Sequence, residues 1–284
     1  MKGAAKTRQS SPIKRGVLQF LLILYSAIVV YPMLWLLLAS LKDSREIFEH
    51  PWSFPKALQW SNFTEAWVGA EIGKCFGNSV FVTALSMFFI LFVGAMAAYA
   101  LARFTFKGRE AMSAVFLSGM MFPVFLGIVP LYILLANLGM LDNYYGLITV
   151  YVAYSLSFTI FVLTGFFKTL PHELAEAGMI DGCSSFTIFW RIMLPLAKPG
   201  LIAAGIFNFF GIWNEFPLAL VIISKENLRT LPLGIQNLLM VEHYQANWGA
   251  LFAGLVIVML PTLIIYLLFQ RQITEGLTAG ALKG

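Results

Sequence analysis

The sequence has 284 residues, of which 59% are hydrophobic and only 12% are charged, and its mean hydropathy is +0.80. A soluble domain of ordinary composition has about 25% charged residues, so this chain lacks the polar surface that a water-soluble globule needs. The formal net charge of +5 is spread over short loops and forms no basic block, which argues against a nucleic-acid partner. The composition therefore predicts an integral membrane protein.

Six stretches of the sequence carry almost no charge, and each is longer than the roughly 20 residues that a helix needs to cross the hydrocarbon core. The first stretch follows a basic tail, but it is longer than the apolar core of a secretory signal and lacks a small-residue cleavage site. The sequence therefore predicts an all-α membrane protein with six transmembrane helices. The stretches are 17–41, 75–102, 111–141, 143–167, 199–223 (with Glu215 as its only charge) and 243–270.

The distribution of Lys and Arg predicts which side of the membrane each loop faces. Most basic residues lie in the N-terminal tail (1–16), the loops 103–110 and 168–198, and the C-terminal tail (271–284). Basic residues are enriched on the cytoplasmic side. We therefore expect a multi-pass domain over 17–270 with both termini in the cytoplasm.

The outer segments 42–74, 137–146 and 224–247 follow from this orientation. The first of them is rich in aromatic residues, which fit either an interfacial belt or a surface for an external partner. Both interpretations remain open from the sequence. The aromatic residues are Trp52, Phe54, Trp60, Phe63 and Trp67.

Prolines lie inside most of the predicted spans. Each removes a backbone donor and frees a carbonyl, so the helices are expected to be kinked and not parallel. Routine bending of a buried bundle and a gated cavity both fit this pattern. The prolines are Pro32, Pro123, Pro130, Pro217 and Pro261.

The cytoplasmic loop between the fourth and fifth spans contains a predicted helix–glycine–helix unit over 171–195. Acidic residues suit the positive N-terminal end of its first helix, and Gly182 breaks that helix. A second helix follows, capped by Ser184 or Ser185 and ended by Pro195. The unit alone also fits a helix pair lying along the membrane interface. Its apolar positions are Leu174, Ala177 and Ile180 on the first helix and Phe186, Phe189, Ile192 and Met193 on the second.

This loop resembles the EAA loop of ABC-importer permeases, in particular the sugar-uptake branch typified by the smaller maltose permease subunit. That pattern is Glu-Ala-Ala, three residues, Gly, and about a dozen residues to Leu-Pro. Two positions differ, because Gly178 replaces the second Ala and Cys183 replaces the Ala after the glycine, and both replacements are small. The matching residues are Glu176, Ala177, Asp181, Gly182, Phe189, Arg191, Leu194 and Pro195.

The resemblance covers most of the chain and implies the fold of a type I ABC-importer permease. It includes the segments 98–104, 107–109, 213–216 and 276–284. In the family, the EAA loop is a coupling helix that docks on a separate ATPase, whose closure turns the bundle from inward-facing to outward-facing. The implied ATPase-coupling residues are Glu176, Ala177, Gly178, Asp181 and Gly182.

The resemblance also implies the partners and the location of the chain. It implies a heterodimer with a homologous second permease subunit, two ATPase subunits on the cytoplasmic side and an external substrate-binding protein, all at a bacterial inner membrane. The sequence has no Gly-x-x-x-x-Gly-Lys-[Ser/Thr] motif, so it is not expected to bind ATP in that way. We therefore expect a transport subunit that is not an enzyme and binds no cofactor, with ATP and Mg held by the partner ATPase.

One carboxylate, Glu215, lies inside a predicted span, where an ionisable group usually faces the bundle interior or a water-filled path. A structural hydrogen bond to another helix or subunit is one interpretation. The other is a substrate path, in which Trp213 stacks on a sugar ring while Asn214 and Glu215 bind hydroxyl groups. Asn78 and Ser79, near the start of the second span, are weaker candidates for the same path.

Three functions compete at this point. The first is import of a sugar or oligosaccharide. The second is ABC import of a non-neutral solute such as glycerol phosphate or a uronate oligosaccharide, because the motifs indicate coupling and not cargo. The third is an ATP-independent secondary transporter, which would also have kinked helices and an intramembrane carboxylate but would not need the helix–glycine–helix loop.

Overall fold

The structure is a computed structural model that describes residues 12–245 and 247–281, and these residues form helices without any β-strand. The predicted all-α class is therefore confirmed. Most of the basic tail and the end of the 276–284 segment lie outside the described residues. The helices are α1 (Pro12–Ala39), α2 (Ser44–Glu49), α3 (Ser61–Thr64), α4 (Ile72–Arg103), α5 (Arg109–Met121), α6 (Val124–Asn137), α7 (Tyr144–Phe167), α8 (Glu173–Ile180), α9 (Ser185–Ile188), α10 (Leu194–Leu196), α11 (Lys198–Trp213), α12 (Pro217–Ile222), α13 (Leu231–Gln245) and α14 (Trp248–Ala281).

Four of these helices, α1, α4, α7 and α14, are long and apolar enough to cross a membrane, and two bent pairs raise the number in the described chain to six. The first pair is α5 and α6, whose axes differ by 104°. The second joins the helical segment 185–196 to α11 at 72°. Helices cover most of the described residues of the six predicted stretches, but 111–141 and 199–223 are each interrupted. The 72° bend lies just before 199–223.

Proline explains both breaks in the predicted stretches. Phe122 precedes Pro123 and has an extended backbone (ψ 120°), which is the conformation that a following proline favours. The fifth stretch divides at Asn214–Phe216, and Pro217 starts α12 where its missing N–H is harmless. The other three prolines lie within continuous helices.

The centre of the bundle is the pair α4 and α7. A Cβ added at Gly94 would lie only 2.7 Å from the Cγ2 atom of Thr159, so the backbone of α4 approaches α7 closely at this point. Helices in membranes pack through small residues in this way, because lipid gives them no hydrophobic driving force. α11 packs against both helices and against α14, and this arrangement positions the residues described below.

The outer segment 224–247 contains a helix that the sequence analysis did not predict. α13 occupies 15 residues of it and packs against α4 and α14. Its apolar part is too short to cross a bilayer, so a search for long uncharged stretches could not find it. At the other end of the chain, α14 continues to Ala281, into the segment predicted as a tail.

Candidate functional site: the helix–glycine–helix loop and the break in the fifth span

The loop between α7 and α11 has the predicted helix–glycine–helix form. α8 ends at Ile180, and Gly182 adopts a left-handed conformation (φ 77°) that glycine accepts without strain. Ser184 then caps α9, because its hydroxyl accepts a hydrogen bond from the Thr187 N–H at 3.2 Å. The helical path continues through a π-helical turn, Phe189–Met193, and Pro195 lies inside α10 instead of ending the unit.

The two arms of this loop are held against each other and against the bundle. A Cβ at Gly178 would lie 3.0 Å from Ile192 Cδ1 and 3.1 Å from Ile188 Cγ1, so a larger residue would push α8 away from the second arm. The ring of Phe189 contacts that of Tyr99 on α4, with ring centroids 5.1 Å apart. Arg103, at the end of α4, donates a hydrogen bond to the Leu170 carbonyl at 2.6 Å.

The outward side of the loop carries the other predicted coupling residues. Glu176, Ala177, Asp181 and Gly182 are all exposed, whereas Gly178 is buried between the arms. The carboxylates of Glu176 and Asp181 make no hydrogen bond or ion pair with the described residues. Exposed apolar side chains lie on the same loop, namely Leu174, Met179, Ile180 and Phe186.

A second unusual region is the break between α11 and α12. Glu215 lies in the break, and its Oε1 accepts a hydrogen bond from the Leu218 N–H at 2.7 Å. Its Oε2 accepts one from the Ala219 N–H at 2.9 Å and one from the Tyr151 hydroxyl at 2.7 Å. The carboxylate therefore satisfies the first free N–H groups of α12 and ties the break to α7.

A cavity of about 360 Å³ lies between α5, α7 and α11 beside this carboxylate. Asn208 is buried in its wall, with its Nδ2 donating to the Thr159 hydroxyl at 2.8 Å and to the Ala204 carbonyl at 2.9 Å. Tyr154 and Phe207 are well exposed and supply aromatic surface. The other lining residues are Gly119, Met120, Tyr151, Ser155, Phe158, Gly211, Ile212 and Glu215.

The structure brings only Glu215, among the predicted path residues, to this cavity. The ring of Trp213 is buried, stacks on Phe209 with ring centroids 5.6 Å apart, and does not line the cavity. Asn214 is exposed and donates to the Phe210 carbonyl of its own helix at 3.0 Å.

Asn78 and Ser79 also lie away from the cavity and hold the outer segment in place. Asn78 donates to the carbonyls of Asn227 and Arg229 at 3.0 and 2.8 Å. The Ser79 hydroxyl accepts from the Leu231 N–H at 2.7 Å, at the start of α13. Both side chains therefore have a structural use in this arrangement.

The comparisons with known proteins agree with this architecture. Residues 90–277 match the family described as Binding-protein-dependent transport system inner membrane component. The chain belongs to this family. As a member, it is a multi-pass membrane component of a transport system, in agreement with its apolar helices.

Relatives and a solved structure extend the similarity to nearly the whole of this permease. The Diacetylchitobiose uptake system permease protein NgcG of Streptomyces coelicolor is 43% identical, over 93% of this chain and 87% of the relative. The Probable starch degradation products transport system permease protein AmyC of Thermoanaerobacterium thermosulfurigenes is 33% identical, over 95% and 98%. A crystal structure of a bacterial ABC transporter involved in the import of the acidic polysaccharide alginate contains a chain with the same fold (TM-score 0.80, 21% identity, coverage 95% and 99%).

Sequence reasoning missed two groups of residues in this permease. Tyr151, Tyr154 and Ser155 line the cavity, and their spacing of three and four on one helical face was an available signal. Asp142 was also missed, because no local pattern shows that the α6–α7 loop meets the outer end of α12.

Asp142 holds that outer end of α12. Its N–H donates to the Ile222 carbonyl at 2.9 Å, and its carboxylate accepts from the N–H groups of Ser224 and Lys225 at 2.6 and 3.0 Å. The hydrogen bond from the Ser224 N–H is the largest cause that lowers the pKa of Asp142 below its usual value. Burial opposes it, and the Lys225 N–H and the Lys225 charge add to the lowering. α12 is thus fastened by a carboxylate at each end.

Proposed function

We propose that this chain is one of two permease subunits of an ATP-driven, binding-protein-dependent importer of a sugar or oligosaccharide. The observation that carries the proposal is the exposed helix–glycine–helix loop 171–195 in a chain of this transport family. Two relatives are named for the uptake of diacetylchitobiose and of starch degradation products, which supports a carbohydrate cargo. The fold alone does not choose the charge of the cargo, because the solved neighbour imports an acidic polysaccharide.

The loop is proposed to transmit force from a separate ATPase. Glu176 and Asp181 have no partner among the described residues, so they are available to orient the loop on another protein. Ala177 and the buried Gly178 allow close approach of the two arms and of the partner, and Gly182 permits the bend. The exposed apolar side chains of the same loop would pack in a water-excluding groove on the ATPase.

The other subunits of the proposed transporter are separate chains. ATP and Mg would be held by two ATPase subunits on the cytoplasmic side, and this chain would supply no catalytic group. A homologous second permease subunit would complete the path, and a substrate-binding protein would dock on the outer segments, including α13. Both termini are proposed to be cytoplasmic, since the basic residues favour that orientation.

We propose that the translocation path of the solute passes through the cavity beside Glu215. Sugar sites combine aromatic faces with hydrogen-bonding groups, and Tyr154, Phe207 and Asn208 supply both here. Trp213 would have to leave its stacked position on Phe209 to contact a solute, so Tyr154 replaces it as the stacking residue in this proposal.

The experiment starts from the cognate binding protein, whose ligand is sought by thermal shift against a panel of neutral and acidic sugars. The complete transporter is then placed in proteoliposomes, with the loaded binding protein on one side and ATP on the other. We expect uptake of a neutral oligosaccharide that requires ATP, and its loss when the phosphate-binding Lys of the ATPase is replaced by Ala. An acidic or phosphorylated ligand would overturn the neutral cargo, and uptake that persists without ATP would identify a secondary transporter.

A further inference from the structure

The cavity beside Glu215 has one sign of charge. Among its described lining residues, Glu215 is the only carboxylic acid, and neither Lys nor Arg lines it. Anionic solutes in protein sites are commonly bound by the guanidinium fork of Arg or by the ammonium group of Lys. Glu215 in the cavity wall of this chain would therefore repel an anionic solute, and no cation in that wall would offset the repulsion.

The hydrogen bonds around Glu215 fix the position of both carboxyl oxygens. Its two oxygens together accept three hydrogen bonds, two from backbone N–H groups and one from the Tyr151 hydroxyl. Three donors around two oxygens suit a carboxylate, which offers acceptors only. The Tyr151 side chain is 2% exposed, so this charge cannot swing away from the cavity without breaking a buried contact.

The neighbouring polar atoms also favour solutes that donate hydrogen bonds. Asn208 lines the cavity and is 6% exposed, and its Nδ2 donates to Thr159 and Ala204, which leaves its Oδ1 oxygen as an available acceptor. Oδ1 has no partner among the described residues. Sugar hydroxyl groups are donors that suit such acceptors, while carboxylate and phosphate oxygens are acceptors that do not.

We infer that Glu215, held by Tyr151 and by the start of α12, is a specificity-determining residue that admits neutral hydroxyl-rich solutes to this wall of the path and rejects anionic ones. This inference rests on the proposed sugar-import function. It assigns a charge preference to this subunit that the family does not fix, since the solved neighbour imports an acidic polysaccharide. The selection acts after the binding protein has released the solute.

The test measures contact between two disaccharides of equal size and the complete transporter in lipid nanodiscs, without the binding protein. The neutral probe is N,N′-diacetylchitobiose, and the anionic probe is the disaccharide of glucuronic acid and N-acetylglucosamine. Saturation-transfer NMR reports the contact of each probe. Glu215→Gln removes the charge and keeps the size of the side chain, and its carbonyl oxygen can still accept from Tyr151 and Ala219 while its NH2 group loses the bond from the Leu218 N–H. It should raise the ratio of anionic to neutral signal about tenfold, as expected for removing a like charge a few ångströms away.

Two further variants separate charge from structure. Tyr151→Phe removes the Tyr151 hydrogen bond but keeps the charge, so the ratio should stay within about twofold of the wild type. Glu110→Gln, at an exposed carboxylate near the start of α5, should leave both the ratio and ATP-dependent uptake unchanged. The inference is wrong if Glu215→Gln leaves the ratio unchanged, if Tyr151→Phe moves it equally, or if the wild type contacts neither probe.

Failure of the proposed function has a different signature. It would appear in the wild-type transporter, as the absence of ATP-dependent uptake of any neutral sugar in proteoliposomes. Failure of the charge preference would appear only in the nanodisc ratios, while uptake by the wild type continued.

Discussion

The carboxylates of the proposed coupling loop (171–195) and the carboxylate in the break at Glu215 have opposite environments. Glu176 and Asp181 are exposed and form no hydrogen bond or ion pair with the described residues, whereas Glu215 accepts three hydrogen bonds. Glu176 and Asp181 are thus available for the proposed contact with another protein, whereas Glu215 is held in position inside the bundle. The difference predicts which substitutions damage the fold and which damage only function.

The largest effect on stability is expected from Glu215→Ala. It removes the acceptor of two N–H groups and of a buried hydroxyl, and each buried unsatisfied donor costs about 1–3 kcal/mol. We expect a loss of about 3 kcal/mol or more in the free energy of unfolding, measured by reversible denaturation in mixed micelles. Glu110→Ala is the control, and an equal loss in that variant would contradict the assigned role.

The next effect concerns coupling and is expected from Gly182→Leu. The left-handed backbone at Gly182 disfavours a residue with a Cβ by about 1–2 kcal/mol, and the new side chain alters the docking surface. Transport should fall at least about tenfold, because a misplacement of the order of 1 Å can cost more than that, while the bundle stays folded.

Gly108→Leu is a matched control for that variant. Gly108 has φ 89°, and its Cβ would also meet open space, but it lies outside the coupling loop. We expect similar strain with retained coupling between ATP hydrolysis and transport. If Gly182→Leu keeps both transport and stimulated ATPase activity, the role of Gly182 as a coupling residue is wrong.

A smaller loss of stability is expected at the outer end of α12 when the pH is lowered. The folded-state pKa of Asp142 is lowered, chiefly by the Ser224 N–H, so the carboxylate stabilises the fold above the ordinary aspartate range. This contribution should be lost as the pH falls below about 4 and through the folded-state pKa. Hydrogen exchange of the Ser224 and Lys225 amides, which donate to it, would measure the loss. Asp142→Asn should remove this pH dependence, and a retained dependence would contradict it.

The smallest effect on stability is expected from the pair Glu176→Gln and Asp181→Asn. Since neither carboxylate has a partner in the described chain, the free energy of unfolding should change by less than about 0.5 kcal/mol. Transport should still fall, because the docking contacts are altered. A loss of stability as large as that of Glu215→Ala would erase the contrast between the two regions.

Much of the fold followed from the sequence because a bilayer imposes length and charge rules on each span. The uncharged stretches, the helix end at Gly182 and the Ser184 cap all have local physical causes. The 104° bend between α5 and α6 was only partly foreseen, since proline predicts a break but not its angle. α13 was missed because it is too short to span.

The candidate site was predicted less completely, because its geometry depends on contacts between distant segments. Glu215 was found by the rarity of a charge within a span. Its bond to Tyr151 joins residues 64 positions apart, and no local pattern specifies it. The burial of Trp213 likewise depends on Phe76 and Phe209 from two helices.

The exposure of α1 has a consequence for how the protein is made. No residue of its most apolar stretch is buried within the chain, whereas half of the corresponding stretch of α7 is buried. A helix of this kind gains its stability from the acyl chains or from another subunit, so it can be inserted as an independent unit before the rest of the bundle has assembled. The lipid composition around α1 should therefore govern insertion and assembly more than it governs the packing of α4, α7 and α11.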